Sequence, residues 1–214
     1  MLKLRINIPL VLYYLLKSLI AAGFLLSLVR QEWQTSFMIA LILLLTFTPT
    51  LLRKRYKIYL PLAFDLFVIV FIFLSLFLGE IYQYYHRFWW WDLYLHANSS
   101  ILSGILGFML IYFLNAQKKV GLRMNTFFVA LFAFTFAISI GVLWEVFEFC
   151  MDTFFGLNMQ KSGLLDTMTD LILNTSGAFI ASFVGYLWMK KKAFSFFFDA
   201  AVKQFVKKNK HLLG

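Results

Sequence analysis

Ionisable side chains stand on an apolar segment that begins at Asp92, and their spacing is that of one helix face. In "DLYLHANSSILS", Asp92 and His96 are four residues apart, and Ser99 and Ser103 continue the series. Residues three, four and seven apart share one face of an α-helix. A carboxylate and an imidazole placed in this way can hold a metal ion or move a proton.

Two later segments, "WEVFEFCMD" and "DTMTDLILNTSG", repeat this arrangement on other apolar helices. Their polar residues again fall at helical intervals: Glu145, Glu148 and Asp152, then Asp166, Asp170, Asn174 and Gly177. Lipid excludes polar faces of this kind. We therefore expect the three faces to point into the protein and to converge on one polar pocket.

The residue types in this pocket suit a divalent metal. Several carboxylates close together repel one another unless some are protonated or a cation neutralises them. Carboxylate and imidazole ligands fit Zn, Mn, Mg or Ca. The predicted ligands are Asp92, His96, Glu145, Glu148, Asp166 and Asp170. The predicted catalytic residues are His96, Glu145 and Glu148, and the predicted pocket-lining residues are Asn174, Ser99 and Asp152. The metal would activate water for attack on a phosphoester, or would bind a phosphate.

Other uses of the same residues stay open. Without a metal, a protonated glutamate and His96 would act as an acid–base pair. In a transporter, the carboxylates and the histidine would relay protons or bind a coupling cation. Taken singly, Asp92 and Asp166 are also explained as charges that complement a helix N-terminus, and Asn174 as a hydrogen bond between helices.

Membrane-spanning helices are the elements that must position these residues. Of the 214 residues, 62% are hydrophobic, and the mean hydropathy of +0.79 exceeds that of a soluble domain. About 20 apolar residues cross a bilayer as a helix. Six such runs occur, at about 8–29, 35–52, 60–84, 92–115, 126–151 and 165–189. We expect an all-α, polytopic six-helix bundle in which residues 1–189 form a single transmembrane domain.

The basic residues predict the orientation of these helices. Sixteen of the 20 lie before the first helix, in 53–57, in 118–123 or after 189, which are alternate ends of successive helices. Basic loops stay on the cytoplasmic side. Both termini are therefore predicted to be cytoplasmic, and the pocket to open at the outer face of a bacterial cytoplasmic membrane. This distribution also argues against nucleic acid as a partner.

Two charged residues lie inside other spans. Lys17 lies in the first helix and Asp65 in the third. Because buried charges are normally paired, we expect these two to form a structural ion pair. Such a pair requires the first helix to pack against the third.

The segment 190–214 combines lysines with phenylalanines at helical spacing. This pattern is typical of an amphipathic helix on the anionic cytoplasmic leaflet. Membrane lipids are therefore the expected partners, and a homo-oligomer is left open. The single cysteine, Cys150, excludes an internal disulfide.

The motifs "WWDLYLH", "WEVFE" and "DTMTDLILNTSGA", in this order, resemble the small bacterial integral-membrane proteins of the YjdF-like family over about residues 64–185. A weaker similarity is to VanZ-like membrane proteins, whose motif positions are occupied here by Asp92 and His96, Glu145 and Glu148, and Asp170, Asn174 and Gly177. Glu148 stands where those proteins usually have glutamine, and Asp166 lies where they tend to have a basic residue. This pocket is thus more acidic. The resemblance implies a cell-envelope context rather than a particular reaction.

The sequence therefore favours a metal-assisted hydrolase or transferase that acts on a lipid or lipid-linked envelope substrate, with one divalent metal as cofactor. A cation- or proton-coupled transporter or lipid-binding membrane protein is the first alternative. A structural or assembly subunit without chemistry is the second. The sequence alone does not decide whether the protein is an enzyme.

Overall fold

Helices make up most of the described chain. The computed structural model describes residues 7–116, 124–191 and 204–209, and no β-strand occurs among them. The α-helices in these ranges are α1 (Ile8–Val29), α2 (Trp33–Leu45), α3 (Thr48–Tyr56), α4 (Leu62–Ile72), α5 (Tyr84–Arg87), α6 (Trp91–Ala116), α7 (Thr126–Phe155), α8 (Leu164–Lys191) and α9 (Gln204–Lys208). The α4 helix continues directly as a π-helix, Phe73–Ile81.

Six helical stretches are long and apolar enough to cross a membrane. They are Ile8–Val29, Trp33–Tyr56, Phe64–Ile81, Trp91–Tyr112, Thr126–Phe155 and Leu164–Lys191. The prediction of an all-α protein with six spanning helices is confirmed, and the bounds differ from the predicted ones by a few residues.

The second span is not one regular helix. The α2 helix ends at Leu45, and α3 starts anew at Thr48. Pro49 lies in the first turn of α3, where its missing N–H group leaves no helical hydrogen bond unmade. The Thr46 hydroxyl donates to the Leu43 carbonyl at 2.7 Å, which satisfies one acceptor at the end of α2.

The chain divides into two compact units, Met1–Trp91 and Asp92–Gly214. The core of the first unit is formed by Leu16, Ile20, Ile39, Ile42, Ile69 and Phe77. The core of the second unit is formed by Phe108, Met109, Ile111, Val129, Ala133 and Trp188. The predicted pocket residues all belong to the second unit, while the single transmembrane domain over residues 1–189 stays a prediction.

The structure corrects the predicted pairing of Lys17 with Asp65. Asp65, only 6% exposed, forms its ion pair with Arg53 in the last turn of α3. The Lys17 ammonium instead lies over two aromatic rings, 4.6 Å from the Tyr13 centroid and 4.2 Å from that of Phe47. The electron-rich ring faces stabilise this cation. The expected packing of the first span on the third is nevertheless present, because α1 contacts α4.

Most of the predicted surface helix at 190–214 lies outside the described residues. Within it, Gln204–Lys208 forms the short helix α9. The Phe205 side chain packs against the core of the second unit. At this position, the apolar face is therefore directed at the protein.

Candidate functional site

Three antiparallel helices bring their polar ends together in the second unit. Asp92 lies in the first turn of α6, and Asp166 in the first turn of α8. Glu148 lies in the last two turns of α7, which ends at Phe155. Because consecutive helices run in opposite directions, these positions fall at the same end of the three helices.

Close helix packing at this end depends on two glycines. A Cβ atom on Gly177 of α8 would overlap the Ser100 hydroxyl oxygen of α6 and would lie 2.9 Å from the Ala97 carbonyl oxygen. A Cβ atom on Gly141 of α7 would lie 2.7 Å from the side-chain nitrogen of Asn174. Glycine at these positions lets α8 approach both of its neighbours.

His96 lies at the centre of the cluster and is only 6% exposed. Its Nε2 atom is 3.6 Å from Asp92 Oδ1 and 3.8 Å from Asp170 Oδ2. On the other side of the ring, Nδ1 is 3.7 Å from Glu145 Oε1 and 3.5 Å from Asn174 Nδ2. The imidazole thus faces carboxylates through both nitrogens, and residues from all three predicted polar faces lie around it.

Two of these carboxylates are buried without a hydrogen-bond partner. Asp170 is 0% exposed and Glu145 is 5% exposed. Within the described part of the chain, neither oxygen of either group meets a donor. The Thr167 hydroxyl lies near Glu145 without reaching hydrogen-bond geometry, and it accepts from the Gln160 side chain. A buried polar group that lacks a partner is costly, so these groups call for a bound cation or for protons.

Glu148 differs from its neighbours because it has a donor. The Trp144 indole Nε1 donates to Glu148 Oε1 at 2.8 Å, and Glu148 is 6% exposed. The two residues are one helical turn apart on α7, so the helix itself sets their geometry. Sequence reasoning did not assign Trp144 a role, although its spacing from Glu148 was visible.

Three predicted residues lie at the edge of the cluster. Asp166 has one buried oxygen without a partner among the described residues. The Ser99 hydroxyl donates a hydrogen bond to the His96 backbone carbonyl, at 3.0 Å. Both oxygens of Asp152 accept backbone N–H groups of the following loop, from Met159 at 2.7 Å and Gln160 at 2.8 Å. Asp152 therefore fixes that loop.

Lys161 is a second residue at this site to which the sequence assigned no role. It lies in the loop between α7 and α8, and its Nζ donates to Asp92 Oδ2 at 2.8 Å. The two side chains are 28% and 16% exposed. Nothing in the local sequence indicates this contact, since the partners are 69 positions apart.

The residues are arranged so that two overlapping groups could hold a metal ion. One comprises Asp92, His96 and Asp170, and the other His96, Glu145 and Glu148, with potential ligand atoms within 4.8 Å of one another. Ligands of a tetrahedral cation with bonds of 2.0–2.1 Å lie about 3.4 Å apart. The separations of 3.6 and 3.8 Å around His96 Nε2 would have to shorten by only a few tenths of an ångström.

The fold and the buried polar end define a polytopic helical membrane protein. The chain belongs to the family described as "Predicted membrane protein (DUF2238)", whose model matches residues 12–191. These findings leave the narrower resemblance to YjdF-like and VanZ-like proteins as a prediction.

A protein of Thermotoga maritima named "Uncharacterized protein" is 29% identical over 126 residues, which is 59% of this chain. The match spans 62% of that relative's length. No solved structure matches the chain.

Proposed function

We propose that this membrane protein is a metal-assisted hydrolase or transferase acting on a lipid or lipid-linked substrate of the cell envelope. In this proposal, Asp92, His96 through Nε2, and Asp170 hold one divalent cation. The cation supplies an activated water and neutralises charge on a substrate oxygen. We also infer from the positive-inside rule that the termini are cytoplasmic and that the site opens on the outer side of a bacterial cytoplasmic membrane.

The observation that carries the proposal is the environment of Asp170. Its carboxylate is completely buried, has no hydrogen-bond donor among the described residues, and points one oxygen at His96 Nε2 from 3.8 Å. An unpaired buried carboxylate costs free energy that a cation between Asp170 and His96 would remove. The same cation would draw in Asp92, whose Oδ1 lies 3.6 Å from Nε2.

The remaining carboxylates have separate roles in this arrangement. Glu145 faces Nδ1 and would accept a hydrogen bond from its N–H group, which leaves Nε2 free as a ligand. Carboxylates behind metal-binding histidines commonly orient the ring in this way. The Asn174 amide, whose nitrogen lies 3.5 Å from Nδ1, would then turn its oxygen toward that N–H group. Glu148, held by the Trp144 indole, would be the acid–base group of the reaction.

The surroundings of the cluster favour an amphiphilic substrate that enters from one side. The site lies at one end of three helices that are long and apolar enough to span a membrane, and the headgroups of lipids lie at that level. Towards the other end of the same helices, the second unit is filled by an apolar core that includes Phe108, Val129 and Trp188. This packing supports an enzyme with a fixed site over a transporter, which needs a polar path through the membrane.

Metal content of the purified full-length protein tests the proposal. After equilibration with divalent cations and removal of excess, wild type is expected to retain about one metal per chain by mass spectrometry. His96→Ala and Asp170→Asn should lose it. Glu148→Gln should keep the metal if Nε2 is the ligand atom, and Ser176→Ala, on the exposed face of α8, is the matched control. A wild type without metal, or an Asp170→Asn variant that keeps it, would contradict the proposal.

A cation- or proton-coupled transporter is the second candidate, and the same unpartnered carboxylates support it. Buried acids around a histidine are the groups from which proton relays are built. If the protein binds no metal and is a proton-coupled transporter, it should carry protons into liposomes, and Asp170→Asn should abolish that proton flux. A chain that shows neither flux nor metal, and in which Asp170→Asn has no phenotype, would be a structural or assembly subunit.

A further inference from the structure

A positively charged side chain, that of Lys161, lies at the rim of this acidic site. Five of its side chains are carboxylates: Asp92, Glu145, Glu148, Asp166 and Asp170. The Lys161 ammonium is bound to one of them, Asp92, at 2.8 Å, and its side chain keeps 28% of its surface exposed. Lys161 thus contacts both the cluster and the space outside it.

The backbone on which Lys161 stands is held in place. Asp152 accepts the two N–H groups immediately before Lys161, those of Met159 and Gln160. The Gln160 side chain also donates to the Thr167 hydroxyl of α8, at 2.7 Å. Gly156 and Gly163, both with positive φ, form the two ends of the loop. The loop therefore presents Lys161 from a defined position.

Asp92 divides its two oxygens between His96 and Lys161. Oδ1 faces His96 Nε2 at 3.6 Å, and Oδ2 accepts from Lys161. An ion held by Oδ1 would leave the Lys161 contact intact. The ammonium would then lie next to the metal, on the more exposed side of the site.

We propose that Lys161 and the bound cation together receive a phosphate group, so that the substrate is a phosphate ester. This inference rests on the proposed function, because carboxylates alone would repel an anion. Lysine binds phosphate as a point charge. The loop joins two spanning helices and so lies at the membrane interface, where lipid phosphates are found. The chemistry is shared by a lipid headgroup and by a soluble phosphate.

The test measures phosphate and metal separately on the same preparations. Full-length protein in detergent micelles is loaded with Mn²⁺ and dialysed to equilibrium against radiolabelled inorganic phosphate. Lys161→Gln is expected to bind phosphate roughly 10- to 100-fold more weakly than wild type, because one charge-assisted hydrogen bond is lost. Lys161→Arg should stay within a few-fold of wild type. Lys190→Gln, a matched loss of charge near the opposite end of α8, should have no effect.

A second arm identifies the source of the phosphate. Phosphatidic acid in phosphatidylcholine nanodiscs competes with the radiolabel, and nanodiscs of phosphatidylcholine alone are the reference. Competition that exceeds that of an equal amount of free phosphate assigns the site to a lipid headgroup. Displacement by free phosphate with no effect of phosphatidic acid assigns it to a soluble phosphate ester. Either result supports a phosphate site.

Three results would overturn the inference. The first is that metal-loaded wild type retains no phosphate. The second is that Lys161→Gln binds phosphate as tightly as wild type does. The third is that Lys161→Gln loses metal and phosphate in the same proportion. The last result would make Lys161 a positioning residue for Asp92. If wild type binds no metal, the proposed function fails, and this inference fails with it because it needs that cation. A wild type that binds metal but retains no phosphate overturns this inference alone.

Discussion

Asp170 combines complete burial with the absence of a hydrogen-bond donor among the described residues, and this makes it the most informative single position. Asparagine has nearly the same shape but carries no charge. Asp170→Asn therefore separates the electrostatic cost of the carboxylate from its value as a ligand. Asp170→Asn should therefore leave stability unchanged or raise it without a metal, and should lower it relative to wild type when a metal is bound.

We expect Asp170→Asn to unfold at the same or a higher temperature than wild type in the presence of a chelator, because a buried repulsive charge is removed. With metal at about 100 times its dissociation constant, wild type should gain about 2.7 kcal/mol, whereas the variant should gain nothing. Thermal unfolding in detergent micelles measures both values. Ser176→Ala should keep the full metal-dependent gain. If metal stabilised Asp170→Asn as much as wild type, Asp170 would not be a metal ligand.

At this scale, the sequence predicted several of the residues that meet at the site, but it missed Lys161. It also placed Asp152 in the pocket, whereas Asp152 holds the following loop. The sequence could predict a meeting of Asp92, His96, Glu145 and Asp170, because the face on which a helical residue lies can be read from its spacing. The contact of Lys161 with Asp92 depends instead on a loop conformation with two positive-φ glycines. The choice of Arg53 over Lys17 as the partner of Asp65 likewise depends on distances in space.

At the scale of helices, the crossing of α8 with α6 fixes the depth at which Asp170 and His96 meet. The crossing point is Gly177, two helical turns beyond Asp170 and packed on Ser100. The sequence shows small residues at four-residue spacing on both helices, Ser100 and Gly104 on α6 and Gly177, Ala181 and Gly185 on α8. Which of them carries the closest contact was not visible there, since that depends on how the two helices are rotated about their axes.

Gly177→Ala is expected to destabilise the protein by about 1–3 kcal/mol, because the added methyl group meets Ser100 and the Ala97 carbonyl. Ser100→Ala in the same chain should restore part of the loss by removing the nearest oxygen. Unfolding of both variants and of the double variant gives the coupling energy. Ser176→Ala, the adjacent residue on the exposed side, is the control. Additive effects of the two substitutions would mean that the helices do not cross at this point.

Two helical irregularities were not predicted. Hydropathy predicts 35–52 and 60–84 as regular spans, whereas the structure breaks the first near Thr46 and continues the second as a π-helix after Ile72. Hydropathy reports the length of an apolar run and is insensitive to the hydrogen-bonding pattern within it. Pro49 was the available signal for the first irregularity.

For the whole molecule, the decisive prediction concerns sidedness. Ser162, in the loop of the site, and Lys191, at the end of α8, are both exposed. In a Cys150→Ala background, a cysteine introduced at Ser162 should react with a membrane-impermeant maleimide on intact cells. A cysteine introduced at Lys191 should react only after permeabilisation.

Each deviating result of this labelling has a defined meaning. The reverse pattern would place the acidic cluster on the cytoplasmic side and would contradict the envelope substrate. Labelling of both positions on intact cells would mean that α8 does not span the membrane. Labelling of Cys150 in the unmodified chain serves as the reference, since this residue is only partly buried within α7.

The division of the cluster among α6, α7 and α8 has a consequence for biosynthesis. These helices leave the ribosome in chain order, so α6 and α7 reach the bilayer before α8 does. A carboxylate left in lipid near the centre of a helix costs about 2.5–3.5 kcal/mol on insertion scales. The polar faces of α6 and α7 are therefore shielded from lipid only after α8 has been inserted. Chains that stop short of α8 should be held by insertion factors or degraded.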